Sequence, residues 1–372
     1  MPLSSEFTPP RTLAHDPMAA ALDRAASPIA AAIIDYLRTH HGAAYRFWTE
    51  PGCTDVAPLQ DLCDALYVQR LLNTDSVAPD AITRFSTILL QHDLPGHGRL
   101  SSPRRPISVH ATAYALGALT LLRKVDGAQF PTDLHPKNWT FDALISPHNN
   151  MPRWPQRWSH HSWRVSHWIG GAPAILLALR EAFPDAYASS GGPDVDTVLR
   201  AADVLLDPNS GFLHPFRSDT LHSLFNLAYS LRHNPIAAEL GGVVHLHWVN
   251  YSCGRQPFTA AHALHAECAK LLMQRRPFIE TTPYCLDFDI VHLLRTSAAQ
   301  PAAVSDKLRD RIRLLQHDLG RFFETSLDAG YALHRLPGAL AALHECSLLL
   351  NETEAPSLAI APRDIILTAY WL

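Results

Sequence analysis

Pro277 to Arg295, PFIETTPYCLDFDIVHLLR, decides the reading of this chain. Leu286, Ile290, Leu293 and Leu294 recur at helical spacing, which predicts a helix over Tyr284–Thr296. Glu280, Tyr284, Asp287, Asp289 and His292 then fall in the loop before that helix and in its opening turns. Carboxylates there are favoured by the helix dipole and point toward whatever lies beyond the helix end. Capping and solvation account for any one such acid, so function rests on the same arrangement recurring elsewhere.

It does recur. Helical periodicity marks Ala20–Thr39, Leu59–Leu72, Pro79–Leu90, Ile107–Leu122, Thr140–Ile145, Ser162–Ala182, Val195–Leu206, Thr220–Arg232, Thr259–Gln274, Ser305–Ser326 and Pro337–Leu350. The only strand-like run is Val243–Val249. The helices pair into about six hairpins, the second member of each the more apolar: TAYALGALTLL, HWIGGAPAILLAL, LHSLFNLAYSL, DIVHLLRTSA and PGALAALHECSLLL. Helices apolar on most sides are buried ones. Glycine turns at Gly98, Gly211 and Gly330 are spaced by about two units of roughly 55–60 residues, a period that indicates stacked supersecondary units. The expected fold is therefore all-α, an (α/α)6 toroid of about six helical hairpins. It occupies residues 20–372 as one domain behind a flexible N-terminal arm, residues 1–19.

The hairpin rhythm and the turn Asp207-Pro208-Asn209-Ser210-Gly211 resemble the (α/α)6-barrel carbohydrate-active enzymes, including unsaturated glucuronyl hydrolases and sugar epimerases. That resemblance implies a glycoside hydrolase or polysaccharide lyase acting in the barrel mouth; it extends to hairpin rhythm and one turn, and fold alone does not fix function.

In such a barrel the loops leading into inner helices share one end, and the polar residues of this chain crowd there. Asp55, His214, Asp219, Asp287 and Asp289 are the candidate catalytic residues. Trp154, Arg157, Trp158, His160, His161, Trp163, Arg217, Glu280, Tyr284 and His334 are the candidate substrate-binding set. Tryptophan and tyrosine faces stack on a pyranose ring, and two carboxyls flanking a glycosidic bond act as general acid and base. Asp287 and Asp289, two apart on a helix, do not face each other, so each would need a partner from another hairpin. Asp287 is preferred as the acid because it lies nearer the helix start. Asp219, two residues after Arg217, also suits a helix cap with an ion pair, and the tryptophans also suit a packing stripe.

A second resemblance points elsewhere. Leu286-Asp287-Phe288-Asp289 resembles the acidic motif of α-toroid terpene cyclases that protonate their substrate, with Ile290 where that motif carries a further acid. A polar cleft would favour a sugar, a deep aromatic and apolar chamber a terpene, and a filled mouth a non-catalytic helical scaffold.

A net charge of −4 and a pI near 6.6 argue against a nucleic-acid partner. No apolar run reaches the roughly 18 residues of a membrane span, and the polar, proline-rich N-terminus lacks the apolar core of a signal peptide. Six scattered cysteines without a C-x-x-C pair suggest reduced thiols in a cytoplasmic protein. His245 and His247, alternating on the strand-like run, would share a face for a metal, but no acid or cysteine stands at ligand spacing. No metal or cofactor is expected; the partner is a small molecule or an oligosaccharide.

Overall fold

A computed structural model describes residues 27–74, 77–91, 101–102, 105–106, 109–130, 162–189, 194–203, 206–213, 235–255, 261–274, 277–297, 304–353, 355 and 358–372, with a few positions between 220 and 231. The arm at 1–19 and the helix expected at Thr140–Ile145 lie outside the described residues. The chain is mostly helical: α1 (Pro28–His40), α2 (Gly42–Thr49), α3 (Leu59–Leu72), α4 (Ala81–Gln91), α5 (Val109–Asp126), α6 (Ser162–Ala182), α7 (Pro184–Ser189), α8 (Val195–Asp203), α9 (Pro235–Ser252), α10 (Ala261–Gln274), α11 (Cys285–Ser297), α12 (Asp306–Thr325), α13 (Leu336–Leu350) and α14 (Ile365–Ala369). A 3-10 turn, Leu333–Arg335, leads into α13. Strand pairing among the described residues is confined to Ser101–Ser102 with Arg105–Pro106 and two isolated bridges.

Local chemistry sets the helix ends. Ser27 caps α1 by accepting from the Ala30 amide at 3.2 Å, and Pro28 follows in the first turn, where its missing N–H costs nothing. This moves the start from the expected Ala20 to Pro28. Ser305 caps α12 in the same way through the Leu308 amide. Asn73 and Asn351 end α3 and α13 in the left-handed conformation, with φ of 54° and 56°, which asparagine tolerates better than most residues.

Six helices are buried around most of their girth: α3, α5, α6 from Gly170 onward, α9, α11 and α13. Their packing runs α3 on α5, α5 on α6, α6 on α9, α9 on α11, α11 on α13, and α13 back on α3. The amphipathic helices lie against them: α2 on α3, α8 on α6, α10 on α11 and α12 on α13. The C-terminal α14 packs on α5 and α9, carrying the fully buried Trp371 inward. Close approaches within the set depend on missing side chains. A Cβ on Gly170 would stand 2.6 Å from the His245 carbonyl carbon, so only glycine lets α6 and α9 pack this tightly.

Two expectations are corrected here. Val243–Val249 is not a strand but the middle of α9. A short, continuously apolar run reads the same for a buried strand and a buried helix, and burial on all sides hides the helical period. The segment LHSLFNLAYSL, expected as an inner helix, exposes Leu224, Leu227 and Leu231 at 47%, 66% and 81%. The inner position falls to α9 instead. No helix among the described residues is long and apolar enough to cross a membrane.

Candidate functional site

The start of α11 is built by Asp287. It is the third residue of the helix, and its Oδ2 accepts from the amide of Tyr284, the residue just before the helix, at 3.1 Å. That is the back-reaching half of a capping box. Its Oδ1 accepts from the Ile279 amide at 2.9 Å and ties down the preceding loop. Burial raises the Asp287 carboxyl to about 7 against the pull of those two amides. Both oxygens accept from backbone amides, so Asp287 acts as a structural cap and is not among the residues lining the cavity reached by Asp289.

Asp289 follows two residues later, about 200° round the helix. It lines a small internal cavity of about 60 Å³ with His110 and Tyr114 of α5, His245 and Trp248 of α9, Tyr284 and Cys285 at the start of α11, and His334, Pro337, Gly338 and Leu372. That space alone is well below the roughly 300–1,000 Å³ usual for small-molecule sites, and the adjoining cavity described below adds about 280 Å³. Asp289 is 1% exposed, and neither carboxyl oxygen has a hydrogen-bond partner. Burial, reinforced by the neighbouring Asp287, pushes its carboxyl well above the usual range and so favours the protonated form. The indole N–H of Trp248 is likewise buried without a partner.

Much of the remaining wall is aromatic. His245 lies 4.8 Å from Trp248 and 4.7 Å from Trp371 between ring centres, and His110 lies 5.7 Å from Trp371. Trp371 donates its indole N–H to Nδ1 of His110 at 3.0 Å. An indole nitrogen only donates, so His110 carries its hydrogen on Nε2. Burial lowers both His110 and His245 to about 3 and keeps them neutral. Burial also pushes the Cys285 thiol well up, which leaves it a thiol and not a nucleophilic thiolate.

A second cavity adjoins the first. Leu59, Gln60 and Cys63 of α3 enclose it together with His110, Tyr114 and His334, which border both spaces. Behind this shared wall Asp64 of α3 accepts the Tyr114 hydroxyl at 2.6 Å and Nδ1 of His334 at 2.9 Å.

A buried ionic network stands one turn beyond Asp289. Glu345 takes Nδ1 of His292 at 2.7 Å and Nε of Arg295 at 2.9 Å; Arg295 also pairs with Asp364 at 2.6 Å. Tyr251 bonds both Arg295 and Asp364. Helices α9, α11, α13 and the lead into α14 are thereby tied together. Burial opposes ionisation of Glu345, yet the charges of Arg295 and His292 prevail and hold it near 2.

Of the residues singled out from the sequence, Asp289, Tyr284 and His334 meet in the first cavity. Asp55 does not: it is a surface acid paired with Arg46 at 2.5 Å. Glu280 is exposed. Trp163 belongs to α6, but its side chain lies outside the described residues, as do Trp154, Arg157, Trp158, His160, His161, His214, Arg217 and Asp219 entirely. His245 and His247, placed on a helix, diverge instead of sharing a face; among the described residues no group of His, Cys, Asp and Glu is arranged to hold a metal. Asp64, Tyr114 and Trp248 were missed. The one available signal was an acid, Asp64, inside the apolar run LCDALYV.

No protein-family model, curated protein or solved structure matches the chain.

Proposed function

We propose that this protein is an acid-initiated cyclase or isomerase of an apolar, unsaturated substrate of the isoprenoid kind, with Asp289 as the proton donor. One observation carries the reading: a buried carboxyl with neither oxygen bonded, its protonated form favoured by burial, in a small and largely aromatic cavity. Raising the pKa of a carboxyl keeps it protonated but makes it a weaker acid, so transfer to an alkene needs help on the product side. The cation formed is attracted to the carboxylate it leaves behind, by about 4 kcal/mol at 4 Å and an effective dielectric of 20. It also meets the π faces of Trp248, Tyr114 and Tyr284, each worth about 0.5–2 kcal/mol to a desolvated cation.

The six-hairpin toroid belongs to the same proposal. Its support is the succession of six buried helices whose packing returns from α13 to α3, with amphipathic helices set against them. The helix that carries Asp287 and Asp289 is the one whose sequence resembles the acidic motif of protonating cyclases.

A saccharide hydrolase or lyase stands second. Glycoside hydrolysis uses two carboxyls across the scissile bond, whereas Asp289 is the one carboxyl side chain among the described residues that line its cavity. In favour of a sugar are Tyr114 and His334, whose hydrogen-bonding groups border the adjoining cavity. The discriminating experiment incubates the protein in deuterated water with linear isoprenoid diphosphates and their epoxides, and separately with unsaturated uronides and oligosaccharides. Isoprenoid products carrying one solvent deuterium, with the diphosphate retained, are expected. Turnover of saccharides only, or isoprenoid products without solvent deuterium, would overturn the reading.

A further inference from the structure

The cavity that contains Asp289 also contains a base assembled on different lines. Asp64 is fully buried, and its Oδ1 alone receives both the Tyr114 hydroxyl and His334 Nδ1, while Oδ2 has no partner. With Asp64 accepting, His334 carries its hydrogen on Nδ1 and keeps the lone pair on Nε2. The ring is fixed further by Tyr114, edge-on at 5.4 Å, and by His110 at 6.1 Å. His110 presents the opposite tautomer, with its hydrogen on Nε2, so the two imidazoles of this wall are a donor and an acceptor.

Basicity separates the histidines as well. Burial opposes protonation of His334, but the bond to Asp64, the charge of Asp64 and the charge of Asp61 outweigh it and raise the imidazole above its ordinary value. Burial drives His110 and His245 the other way, to about 3. Groups whose surroundings separate their proton affinities in this way divide acid and base duties in an active site.

We propose that His334, aligned by Asp64, is the general base that ends the reaction Asp289 begins, by taking a proton from carbon at the junction of the two cavities. This inference rests on the reading of Asp289 as proton donor. Asp289 gives its proton to one alkene carbon, and the π pair becomes the new C–H bond, leaving a cation. At the end, a C–H bond beside the cationic carbon breaks. Its proton goes to Nε2 of His334 and its electron pair becomes the new C=C bond. The substrate is isomerised without oxidation or reduction, and the resulting carboxylate and imidazolium return to their starting states by exchange with water. The product is an olefin, not a hydrated alcohol. Asp64 is a positioning residue.

The test uses His334→Gln and Asp64→Asn in the full chain, assayed with whichever linear isoprenoid diphosphate the parent converts fastest, in deuterated water. Glutamine keeps a donor for Asp64 but is no base. His334→Gln should still place solvent deuterium in its products, while the parent olefin falls by about 10²-fold, the lower range for lost acid–base catalysis, and alcohols or other olefin isomers replace it. In the parent, kcat should rise with pH as His334 loses its proton. Asp64→Asn should move that limb to lower pH with little change in KM, because Asp64 is the main charge facing the ring, ahead of Asp61, with neutral His110 and Tyr114 beside it. An unchanged product spectrum and rate in His334→Gln, with deuterium incorporated, would overturn this inference and leave the Asp289 reading intact. Absence of solvent deuterium from the parent's own products, or no turnover at all, would overturn both.

Discussion

Asp287 and Asp289 stand two residues apart on α11 and have opposite surroundings: Asp287 holds the Ile279 and Tyr284 amides at 2.9 and 3.1 Å, while Asp289 lines the cavity with neither oxygen bonded. The geometry gives Asp287, the acid preferred from the sequence, a capping role and leaves Asp289 as the donor of the proposal. Being nearer the helix start commits Asp287 to capping that start, and the residue about 200° further round turns inward.

The two acids should therefore respond differently to substitution. Asp289→Asn should cut turnover by about 10²–10⁴-fold with circular dichroism unchanged. Asp287→Asn keeps an acceptor for one amide and should retain most activity. Asp287→Ala should lower stability by about 0.5–2 kcal/mol, as lost caps do, measured by urea unfolding. Full activity in Asp289→Asn would remove it as the donor.

Asp289 should also cost the protein stability as pH rises. Its folded pKa lies above the unfolded 3.8, so the folded state holds the extra proton. The associated stability is fully present below pH 3.8 and is lost as pH climbs toward the folded value. Asp289→Asn should be more stable than the parent at neutral pH, by a margin that grows from acid to neutral solution. Parallel thermal melts across that range decide it; a variant less stable at every pH would contradict the placement of Asp289.

The sign is opposite for Glu345. Its carboxyl is held near 2 against 4.5 unfolded, so its contribution is present above pH 4.5 and disappears as pH falls toward 2. Glu345→Gln leaves Arg295 and His292 without their shared partner and should cost about 3–5 kcal/mol at neutral pH, the usual effect of breaking a buried ionic pair. The variant should lose less stability than the parent between pH 4.5 and 2. Urea titrations at both ends of that window measure the difference.

Gly338 sets the width of the cavity. A Cβ there would stand 2.8 Å from Cα and 2.9 Å from Cβ of Cys285, so α13 rests directly on the first turn of α11. Gly338→Ala should force the two apart at a cost of about 1–3 kcal/mol, typical of overpacking. Turnover should fall more than it does for alanine at the exposed Gly52, although Gly52 has φ +69° and its own backbone cost. Equal losses would show that the contact does not shape the site.

Local order was legible because its causes lie within a few residues. The period of Leu286, Ile290, Leu293 and Leu294 marks α11 within one residue at each end, and Ser305 with its apolar repeat marks α12 equally well. The same stretch showed that acids gather where α11 begins. It did not show which of them turns inward, because that depends on how α11 is rotated against α9 and α13.

The sequence by itself determined a mainly helical chain, the helix that begins after Ser305, and the acidic opening of α11. Tertiary structure alone decided that Val243–Val249 is helix, because only the surroundings of α9 on every side distinguish a buried helix from a buried strand. It alone joined Asp64 to His334 across 270 residues. It also raised the proton affinity of Asp289, since that of a carboxyl follows the water and charges around it, and those are fixed only when distant helices close over it.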